Sequence, residues 1–287
     1  MPRRPLGRTG EHLSLIGLGG VTVMSETPRH AAEIVAEVFD AGVNYFDVAP
    51  TYGNAEERLG PALEPYRKQV FLACKTAERD AVGARRELEN SLRLLRTDYL
   101  DLYQLHALTS REDVEQVFGP GGAIEVFREA REQGKVRFLG FSSHSVEASL
   151  AAMEQFDFDT ILFPINCNLW YKENFGPQVV AAARQRGMGI LALKACARRA
   201  RLEGEERKYG KCWYIPLAEE RELARGLYWT LSQPVTAAVP PGEEKFFRMA
   251  LKLAPVFVPL ADEEKEQLAL EAEKIEKSLF TYPAWGG

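Results

Sequence analysis

Short runs of β-branched and aromatic residues alternate along this chain with longer stretches in which apolar residues recur at helical spacing. This alternation is typical of βα units, in which helices connect parallel strands. Eight runs have the length and composition of strands: residues 14–18, 44–47, 70–75, 100–104, 138–141, 160–164, 189–193 and 237–239. Helical patterns occupy residues 28–41, 79–95, 123–132, 146–155, 175–186 and 219–231. The pattern predicts an α/β fold, a (β/α)8 or TIM barrel.

Two segments extend beyond the barrel. Residues 4–13 contain the turn sequence Leu-Gly-Arg-Thr-Gly, which predicts a small N-terminal hairpin that plugs the barrel floor. Residues 262–277 predict a charged C-terminal helix, and residues 278–287 form an aromatic tail. Because we find no interdomain linker or internal repeat, we expect one barrel domain over residues 1–287.

Composition narrows the class of protein. The 287 residues are 46% hydrophobic and 27% charged, which is typical of a globular domain, and the net charge of −5 favours no nucleic-acid partner. No run of apolar residues is long enough to cross a membrane, and the N-terminus lacks the apolar stretch of a signal peptide. We therefore expect a cytoplasmic protein with no membrane partner. The four cysteines, Cys74, Cys167, Cys196 and Cys212, form no CxxC pair and are interpreted as buried free thiols, with no metal site.

Polar side chains follow three consecutive strands of the predicted barrel. Asp47 ends the second strand, Lys75 ends the third, and His106 follows the fourth, while Tyr52 lies in the loop after Asp47. Active residues of TIM barrels lie at the carboxyl ends of the strands. A lone lysine there is commonly a solvated rim residue and a lone histidine is commonly structural, but the joint placement favours a catalytic site.

With these four residues the sequence resembles the aldo-keto reductase family, whose Asp, Tyr, Lys and His tetrad has similar spacing. The resemblance covers nearly the whole chain. Further matching stretches are residues 6–10 (Leu-Gly-Arg-Thr-Gly), 42–47 (Gly-Val-Asn-Tyr-Phe-Asp), 99–102 (Tyr-Leu-Asp-Leu) and 134–142 (Gly-Lys-Val-Arg-Phe-Leu-Gly-Phe-Ser).

The resemblance implies an NAD(P)H-dependent oxidoreductase that reduces an aldehyde, ketone or sugar carbonyl to an alcohol, or catalyses the reverse reaction. Tyr52 would be the general acid, and Lys75 would lower the pKa of its phenol from about 10 towards neutrality. Asp47 would orient Lys75, and His106 would donate a hydrogen bond to the substrate oxygen. Nicotinamide would supply the hydride.

The resemblance also implies cofactor contacts on later strands. Ser142 matches the serine that binds the carboxamide, Ser143 occupies a position where asparagine is common, and Asn166 matches a second amide-binding position. Ser143 is equally consistent with a role in capping the helix that begins near residue 146. After the seventh strand, Lys194 stands where the family often has an aromatic residue that stacks on nicotinamide. It would reach the pyrophosphate instead, or lie on a solvated loop.

The loop after the eighth strand bears on cofactor choice. Gly242 matches the first part of the family's pattern there, and Arg248 would bind the 2′-phosphate of NADP. Glu243 replaces a small hydroxyl residue and favours a free ribose hydroxyl instead. The sequence therefore predicts NADP, with NAD as the alternative.

Aromatic residues are the candidates for substrate contact. A polar insertion over residues 198–218 is long for a compact domain, which is typical of a segment that covers a site. Trp213 in this insertion, Trp170 and Tyr171 after the sixth strand, and Trp285 in the tail would stack on a sugar or an aromatic ring, or would serve as packing.

One other function is consistent with the same residues, and a second is disfavoured by them. A cofactor-sensing regulatory or binding subunit would keep the barrel and the tetrad with little turnover, as some channel subunits of the family do. A metal-dependent hydrolase would need clustered His and carboxylate ligands at strand ends, which the four histidines do not supply.

Overall fold

A closed barrel of eight parallel strands forms the centre of the molecule. The computed structural model describes residues 1–283. Neighbouring strands pair in parallel all the way from the first to the last. A parallel bridge between Ile16 and Ala238, with a hydrogen bond of 2.9 Å from the Gly17 N–H to the Ala238 carbonyl, joins the two ends of the sheet. The predicted (β/α)8 barrel is confirmed.

The barrel strands are β3 (Leu18–Gly19), β4 (Tyr45–Asp47), β5 (Phe71–Thr76), β6 (Leu100–Leu108), β7 (Val136–Ser143), β8 (Thr160–Pro164), β9 (Gly189–Leu193) and β12 (Ala237–Val239). Two antiparallel pairs lie outside it: β1 (Arg3–Pro5) with β2 (His12–Ser14), and β10 (Ala197–Arg199) with β11 (Ile215–Pro216). The helices are α1 (Pro28–Asp40), α2 (Ala55–Leu63), α3 (Ala81–Leu94), α4 (Arg111–Phe118), α5 (Ala123–Glu132), α6 (Val146–Gln155), α7 (Cys167–Lys172), α8 (Pro177–Gln185), α9 (Glu220–Leu231), α10 (Glu244–Leu253) and α11 (Asp262–Ala272). Three 3₁₀ segments span Gly20–Thr22, Glu64–Gln69 and Ala254–Val256.

Several of the helices combine a capping side chain with one apolar face. In α1 the Thr27 hydroxyl accepts a hydrogen bond from the His30 N–H, and Pro28 occupies the first helical position, where a missing N–H has no cost. The buried residues of this helix, Ala31, Ile34, Val35 and Val38, recur every three or four positions. The helix therefore packs its apolar face against the outside of the barrel.

The N-terminal hairpin closes the bottom of the barrel, as predicted. Leu6 and Leu13 are fully buried and belong to the same apolar cluster as the inward side chains of the barrel strands. The Arg8 N–H donates to the carbonyl of Gly187 at 2.9 Å, and the Thr236 hydroxyl donates to the Pro5 carbonyl at 2.9 Å. Apolar packing is therefore continuous from this plug to the opposite end of the barrel.

Several elements differ from the prediction. The first strand lies at Leu18–Gly19, because Ser14 pairs within the hairpin instead. The C-terminal helix ends at Ala272, five residues before the predicted end at residue 277. Helices α2, α4, α7 and α10 were not among the predicted patterns; three of them have fewer than ten residues, too short for a clear periodicity. No helix within residues 1–283 combines the length and the apolar character needed to cross a membrane.

Candidate active site

A cavity of about 330 Å³ opens at the carboxyl ends of the barrel strands, and we call it the mouth cavity. Its volume lies at the lower end of the range of about 300–1,000 Å³ that is usual for small-molecule sites. Asp47, Tyr52, Lys75 and His106 all line it. The structure thus brings together the four residues that the sequence singled out.

Alternation along the strands explains why these side chains meet. Successive side chains of a strand point to opposite faces of the sheet. On β5, Phe71 and Ala73 belong to the cluster inside the barrel, so Lys75 points inward as well. The same parity on β4 and β6 directs Asp47 and His106 to the interior. Adjacent strands are in register here, since Lys75 pairs with Gln104 in the sheet.

Lys75 and Asp47 form a buried ion pair. Lys75 is fully buried and Asp47 is 2% exposed, and the Lys75 ammonium donates to Asp47 Oδ1 and, at 3.1 Å, to the Val48 carbonyl. Asp47 Oδ2 accepts hydrogen bonds from Gln104 Nε2 at 3.1 Å and from the Tyr45 hydroxyl at 3.2 Å. Burial alone would lower the pKa of Lys75, but the carboxylate of Asp47, together with Tyr52, raises it. Lys75 therefore stays charged.

Tyr52 lies against this pair. The Lys75 ammonium is 5.3 Å from the centre of the Tyr52 ring. Burial raises the pKa of the Tyr52 phenol, and the positive charge of Lys75 offsets only part of that increase. The expectation that Lys75 brings this pKa towards neutrality is therefore not met in the structure, because desolvation is the larger effect. Tyr52 is protonated at neutral pH.

His106 packs against Tyr52 in the lining of the cavity. The two rings pack edge to face with their centres 5.7 Å apart, and Thr51 Oγ1 lies 3.3 Å from His106 Nδ1. Burial, assisted by the charge of Lys75, lowers the pKa of His106 to about 3. The imidazole is therefore neutral near pH 7. When Thr51 donates to Nδ1, the Nε2 of the neutral ring carries the proton and can donate to an oxygen in the cavity.

The predicted carboxamide-binding residues separate into one inside the cavity and two outside it. Ser142 lines the mouth cavity, and its Oγ accepts the Ala107 N–H at 2.8 Å. Ser143 has the opposite strand parity and donates its hydroxyl to the Leu108 carbonyl at 2.6 Å. Asn166 caps α7 through Oδ1 and donates Nδ2 to the Lys194 carbonyl at 3.1 Å. The structure does not bring Ser143 or Asn166 to the cavity. Ser143 is not the helix cap either, since Ser145 caps α6.

Lys194 lines the cavity, and the alternative of a solvated loop is wrong. Its ammonium lies 5.1 Å from the centre of the Trp213 ring and 4.8 Å from that of Tyr214. Burial lowers the pKa of Lys194 to about 8. Its backbone has φ of +64°, a left-handed conformation that is uncommon for a residue with a Cβ.

The insertion over residues 198–218 supplies a wall of the cavity. It carries the short pair β10 and β11, and its Lys211, Trp213 and Tyr214 all line the cavity. The Lys211 ammonium donates to the Thr22 carbonyl at 2.7 Å and pairs with Glu26 at 2.8 Å. The insertion is thereby fixed across the barrel mouth, from β9 to the loop after β3.

Two residues with no assigned role also shape this end of the barrel. His144 lines the cavity, and burial together with the charge of Lys194 lowers its pKa to about 4. Its ring stacks on Phe280 of the C-terminal tail at 4.9 Å between centres, and Phe280 contacts Trp213 edge-on at 6.0 Å. Because His144 lies two residues after the inward Ser142, strand alternation predicts that it also lines the cavity.

The two predicted residues after β12 behave differently. Gly242 lines the cavity, and a Cβ at this position would lie 2.5 Å from a Val21 methyl group, so a larger residue would displace the cavity wall. Arg248 lies outside the cavity lining. Its guanidinium pairs with Glu37 at 2.6 Å and with Glu244 at 2.8 Å. Its charge is already opposed by two carboxylates.

Of the three predicted aromatic residues that the structure describes, Trp213 alone lines the cavity. Trp170 packs edge-on against Trp229 of α9 with ring centres 5.6 Å apart, and the Tyr171 hydroxyl accepts the Trp229 indole N–H at 3.1 Å. Trp170 and Tyr171 therefore serve α7–α9 packing outside the cavity. Trp285 lies outside the described residues.

The cysteines are free and buried, as expected. Burial raises the pKa of Cys167 to about 12 and that of Cys212 to about 11, so neither is a reactive thiolate. Within residues 1–283, no group of three His, Cys, Asp or Glu side chains is arranged to hold a metal ion.

Comparisons with known proteins agree with this architecture. A family model described as the Aldo/keto reductase family matches residues 15–253. The aldo-keto reductase YhdN of Bacillus subtilis (strain 168) is 38% identical over 158 residues, which are 48% of this chain and 46% of that protein. The 6-dehydroglucose reductase of Novosphingobium aromaticivorans is 32% identical over 173 residues, 53% of this chain and 55% of that protein. The chain spans about half the length of these curated relatives.

A solved structure extends the likeness over almost the whole chain. The holo form of aldo-keto reductase AKR11C1 from Bacillus halodurans superposes with a TM-score of 0.73. The match covers 97% of this chain and 98% of that one at 22% identity, which shows a shared fold.

Proposed function

Because this chain belongs to the Aldo/keto reductase family, we propose that it is an oxidoreductase that reduces the carbonyl group of a small aldehyde, ketone or sugar, or oxidises the corresponding alcohol. The observation that supports this activity is the convergence of Asp47, Tyr52, Lys75 and His106 in one cavity at the barrel mouth. A cytoplasmic location remains a prediction.

Tyr52 is the proposed general acid. Its phenol is protonated at neutral pH because burial raises its pKa. A carbonyl that accepts hydride develops alkoxide charge and needs a positioned proton donor. When Tyr52 gives up its proton, the resulting phenolate lies beside the charged ammonium of Lys75, which Asp47 keeps in place. The ion pair therefore stabilises the product of the proton transfer.

His106 is proposed to hold the reacting oxygen. With a pKa of about 3 it is neutral, so it acts as a hydrogen-bond donor and does not compete with Tyr52 as the acid. Its ring packs edge to face against that of Tyr52, and both residues line the cavity. A carbonyl oxygen between them would be oriented by His106 and protonated by Tyr52.

The proposed cofactor is a nicotinamide dinucleotide, which would supply the hydride because no side chain can. Two cavity residues fit this group: the Ser142 hydroxyl offers a polar partner, and Gly242 keeps the cavity wall thin. Contact of Lys194 with the pyrophosphate stays a prediction, which the variants of Lys194 described below test.

NADP is the proposed form of the cofactor, through Arg248. A 2′-phosphate would have to compete with Glu37 and Glu244 for the guanidinium. We therefore expect a modest preference for NADPH over NADH, within about tenfold in kcat/KM, which corresponds to about 1.4 kcal/mol.

The test is a panel of aldehydes, ketones and keto-sugars assayed with NADPH and with NADH, using wild type and Tyr52→Phe. We expect wild type to oxidise the reduced cofactor with part of the panel. The substitution should lower kcat by about 10²- to 10⁴-fold, the usual contribution of a general acid, with little change in KM.

Tyr66→Phe is the matched control, since Tyr66 packs against Phe39 on the surface, remote from the cavity. It should keep wild-type rates. Full activity of Tyr52→Phe would refute the assignment of the acid. A wild-type protein that binds the dinucleotide but turns over no carbonyl would refute the enzyme and favour the regulatory subunit.

A further inference from the structure

The mouth cavity contains one cation that no carboxylate within residues 1–283 pairs with. Of its three lysines, Lys75 pairs with Asp47 and Lys211 pairs with Glu26. Asp47 is the single carboxylate among the described residues that line the cavity. In the described part of the chain Lys194 makes no ion pair, and its ammonium contacts two aromatic rings instead.

The surroundings of Lys194 hold this ammonium in a fixed position. Trp213 and Tyr214 place the faces of their rings within about 5 Å of it, a distance at which the ring quadrupole attracts a cation. The rings stabilise the charge without neutralising it. Both come from the insertion over residues 198–218, whereas the lysine directly follows β9.

The backbone of Lys194 is strained to reach this position. A left-handed φ is uncommon for a residue with a Cβ, and here φ is +64°. The Lys194 carbonyl accepts hydrogen bonds from the Ala197 N–H at 2.9 Å and from Asn166 Nδ2 at 3.1 Å, which keep the strained conformation. Strain of this kind commonly accompanies a binding site.

The cation shares the mouth cavity with the residues where the carbonyl would react. Lys194, His106 and His144 all line this cavity. Burial is the main cause of the lowered pKa values of His106 and His144, and the positive charge of Lys194 adds to it. His106 is the residue that would hold the substrate oxygen, so Lys194 lies beside the place for the rest of the substrate.

Resting on the carbonyl reduction proposed above, we propose that Lys194, held between Trp213 and Tyr214, binds an anionic group of the substrate close to its carbonyl. The preferred substrates are then carbonyl acids, with a carboxylate or phosphate near the reacting carbon, over neutral carbonyl compounds. The pyrophosphate of the dinucleotide offers the same anionic oxygens and is the competing source.

The experiment compares phenylglyoxylate with its methyl ester, two compounds that share the same ketone and differ in one charge. Wild type should reduce the acid with the higher kcat/KM. Lys194→Met keeps the side-chain length and its contact with both rings but removes the charge. It should lower kcat/KM for the acid by about 10- to 100-fold, the usual range for a hydrogen bond to a charged group, mainly through KM.

The ester serves as the internal control. Lys194→Met should reduce it as well as wild type does, and Lys194→Arg should retain part of the preference for the acid. Lys245→Met is the matched variant, because Lys245 also contacts an aromatic ring, Phe246, but lies outside the cavity lining. It should leave the ratio between acid and ester at the wild-type value.

Two outcomes would overturn the proposal. If Lys194→Met leaves the ratio between acid and ester unchanged and raises KM for the dinucleotide, the cation serves the pyrophosphate. If acid and ester lose activity equally with no change in the KM for the dinucleotide, Lys194 has a structural role only.

A failure of the proposed function is detected separately. If wild type reduces neither compound with either cofactor, calorimetry with phenylglyoxylate measures anion binding without turnover. Saturable binding that Lys194→Met abolishes supports the inference, although the enzyme assignment has failed. Absence of binding to wild type overturns it.

Discussion

Replacing Asp47 by asparagine removes the negative charge of the buried pair at the barrel mouth while nearly preserving its shape. The ammonium of Lys75, which is fully buried, then keeps the Val48 carbonyl at 3.1 Å as a neutral acceptor. Breaking a buried ion pair by removing one partner costs about 3–5 kcal/mol, because the remaining charge is uncompensated. We expect Asp47→Asn to destabilise the protein by this amount at pH 7.

The pH dependence of this loss identifies its cause. In wild type the pKa of Lys75 is raised above 10.5, so the pair contributes fully below pH 10.5 and is lost only as the pH rises through the raised value. In Asp47→Asn, burial without the carboxylate lowers that pKa. The cost of burying the ammonium is then largest at low pH, and it decreases by up to about 1.4 kcal/mol per pH unit as the pH rises towards 10.5.

Urea unfolding of wild type and variant between pH 6 and pH 10 measures the difference. Asp101→Asn is the matched control, because Asp101 is also 2% exposed and pairs with Arg67 at 2.9 Å and Arg137 at 2.6 Å. A guanidinium does not lose its proton in this range, so the control should be destabilised equally at every pH.

The double variant Asp47→Asn/Lys75→Met should recover most of the stability, since no isolated charge remains. A decrease in the free energy of unfolding of less than about 1 kcal/mol at pH 7 would contradict this prediction. A decrease in Asp47→Asn that is the same at pH 7 and pH 10 would also contradict it, because the cost would then not come from the buried ammonium of Lys75.

Three further predictions follow from the environment of single residues. Because the pKa of His106 is about 3, its ring-proton NMR shifts should stay constant from pH 5 to 8. The stability that its neutral form contributes should be lost as the pH falls from 6.5 towards 3. A titration midpoint between pH 5 and 8 would contradict this. Gly10→Ala should lower the free energy of unfolding in urea by about 1–2 kcal/mol, because φ at Gly10 is +82°. Gly7→Ala should lower it by about 1–3 kcal/mol more, because its Cβ would lie 2.3 Å from the backbone of β9. Equal losses would refute the close packing at Gly7. Tyr171→Phe should cost about 1–3 kcal/mol by leaving the Trp229 indole N–H without its acceptor, and it should leave KM for any carbonyl substrate unchanged; a changed KM would return Tyr171 to the substrate site.

Strand-end residues could be predicted from the sequence because a parallel barrel fixes where they must meet. Once the strands are located, parity alone directs Asp47 and Lys75 to the interior, whatever the loops do. The same rule, applied with more care, assigns Ser143 to the outer face, and it identifies Gln104 as the inward polar neighbour of Asp47. Strand alternation predicts both the outward position of Ser143 and the inward position of Gln104, but our predictions did not include them.

The surroundings of Lys194 and Arg248 could not be predicted in this way. Trp213 reaches Lys194 from an insertion without periodicity, so no spacing rule connects the two. Arg248 meets Glu37 across 211 positions of sequence, and only the packing of α10 beside α1 brings them together. The match to a family position therefore located Arg248 in the sequence. It could not show that Glu37 and Glu244 already pair with its guanidinium.

Side chains packed inside the barrel close the mouth cavity at its inner end. Leu6 and Leu13 of the N-terminal hairpin complete this packing, so exchange between solvent and Tyr52 passes through the upper rim alone in the described part of the molecule. Under the proposed function, a carbonyl compound and a dinucleotide would both enter through this rim, and the molecule bound deeper would leave only after the other. Initial-rate kinetics would then show a compulsory order of addition and release.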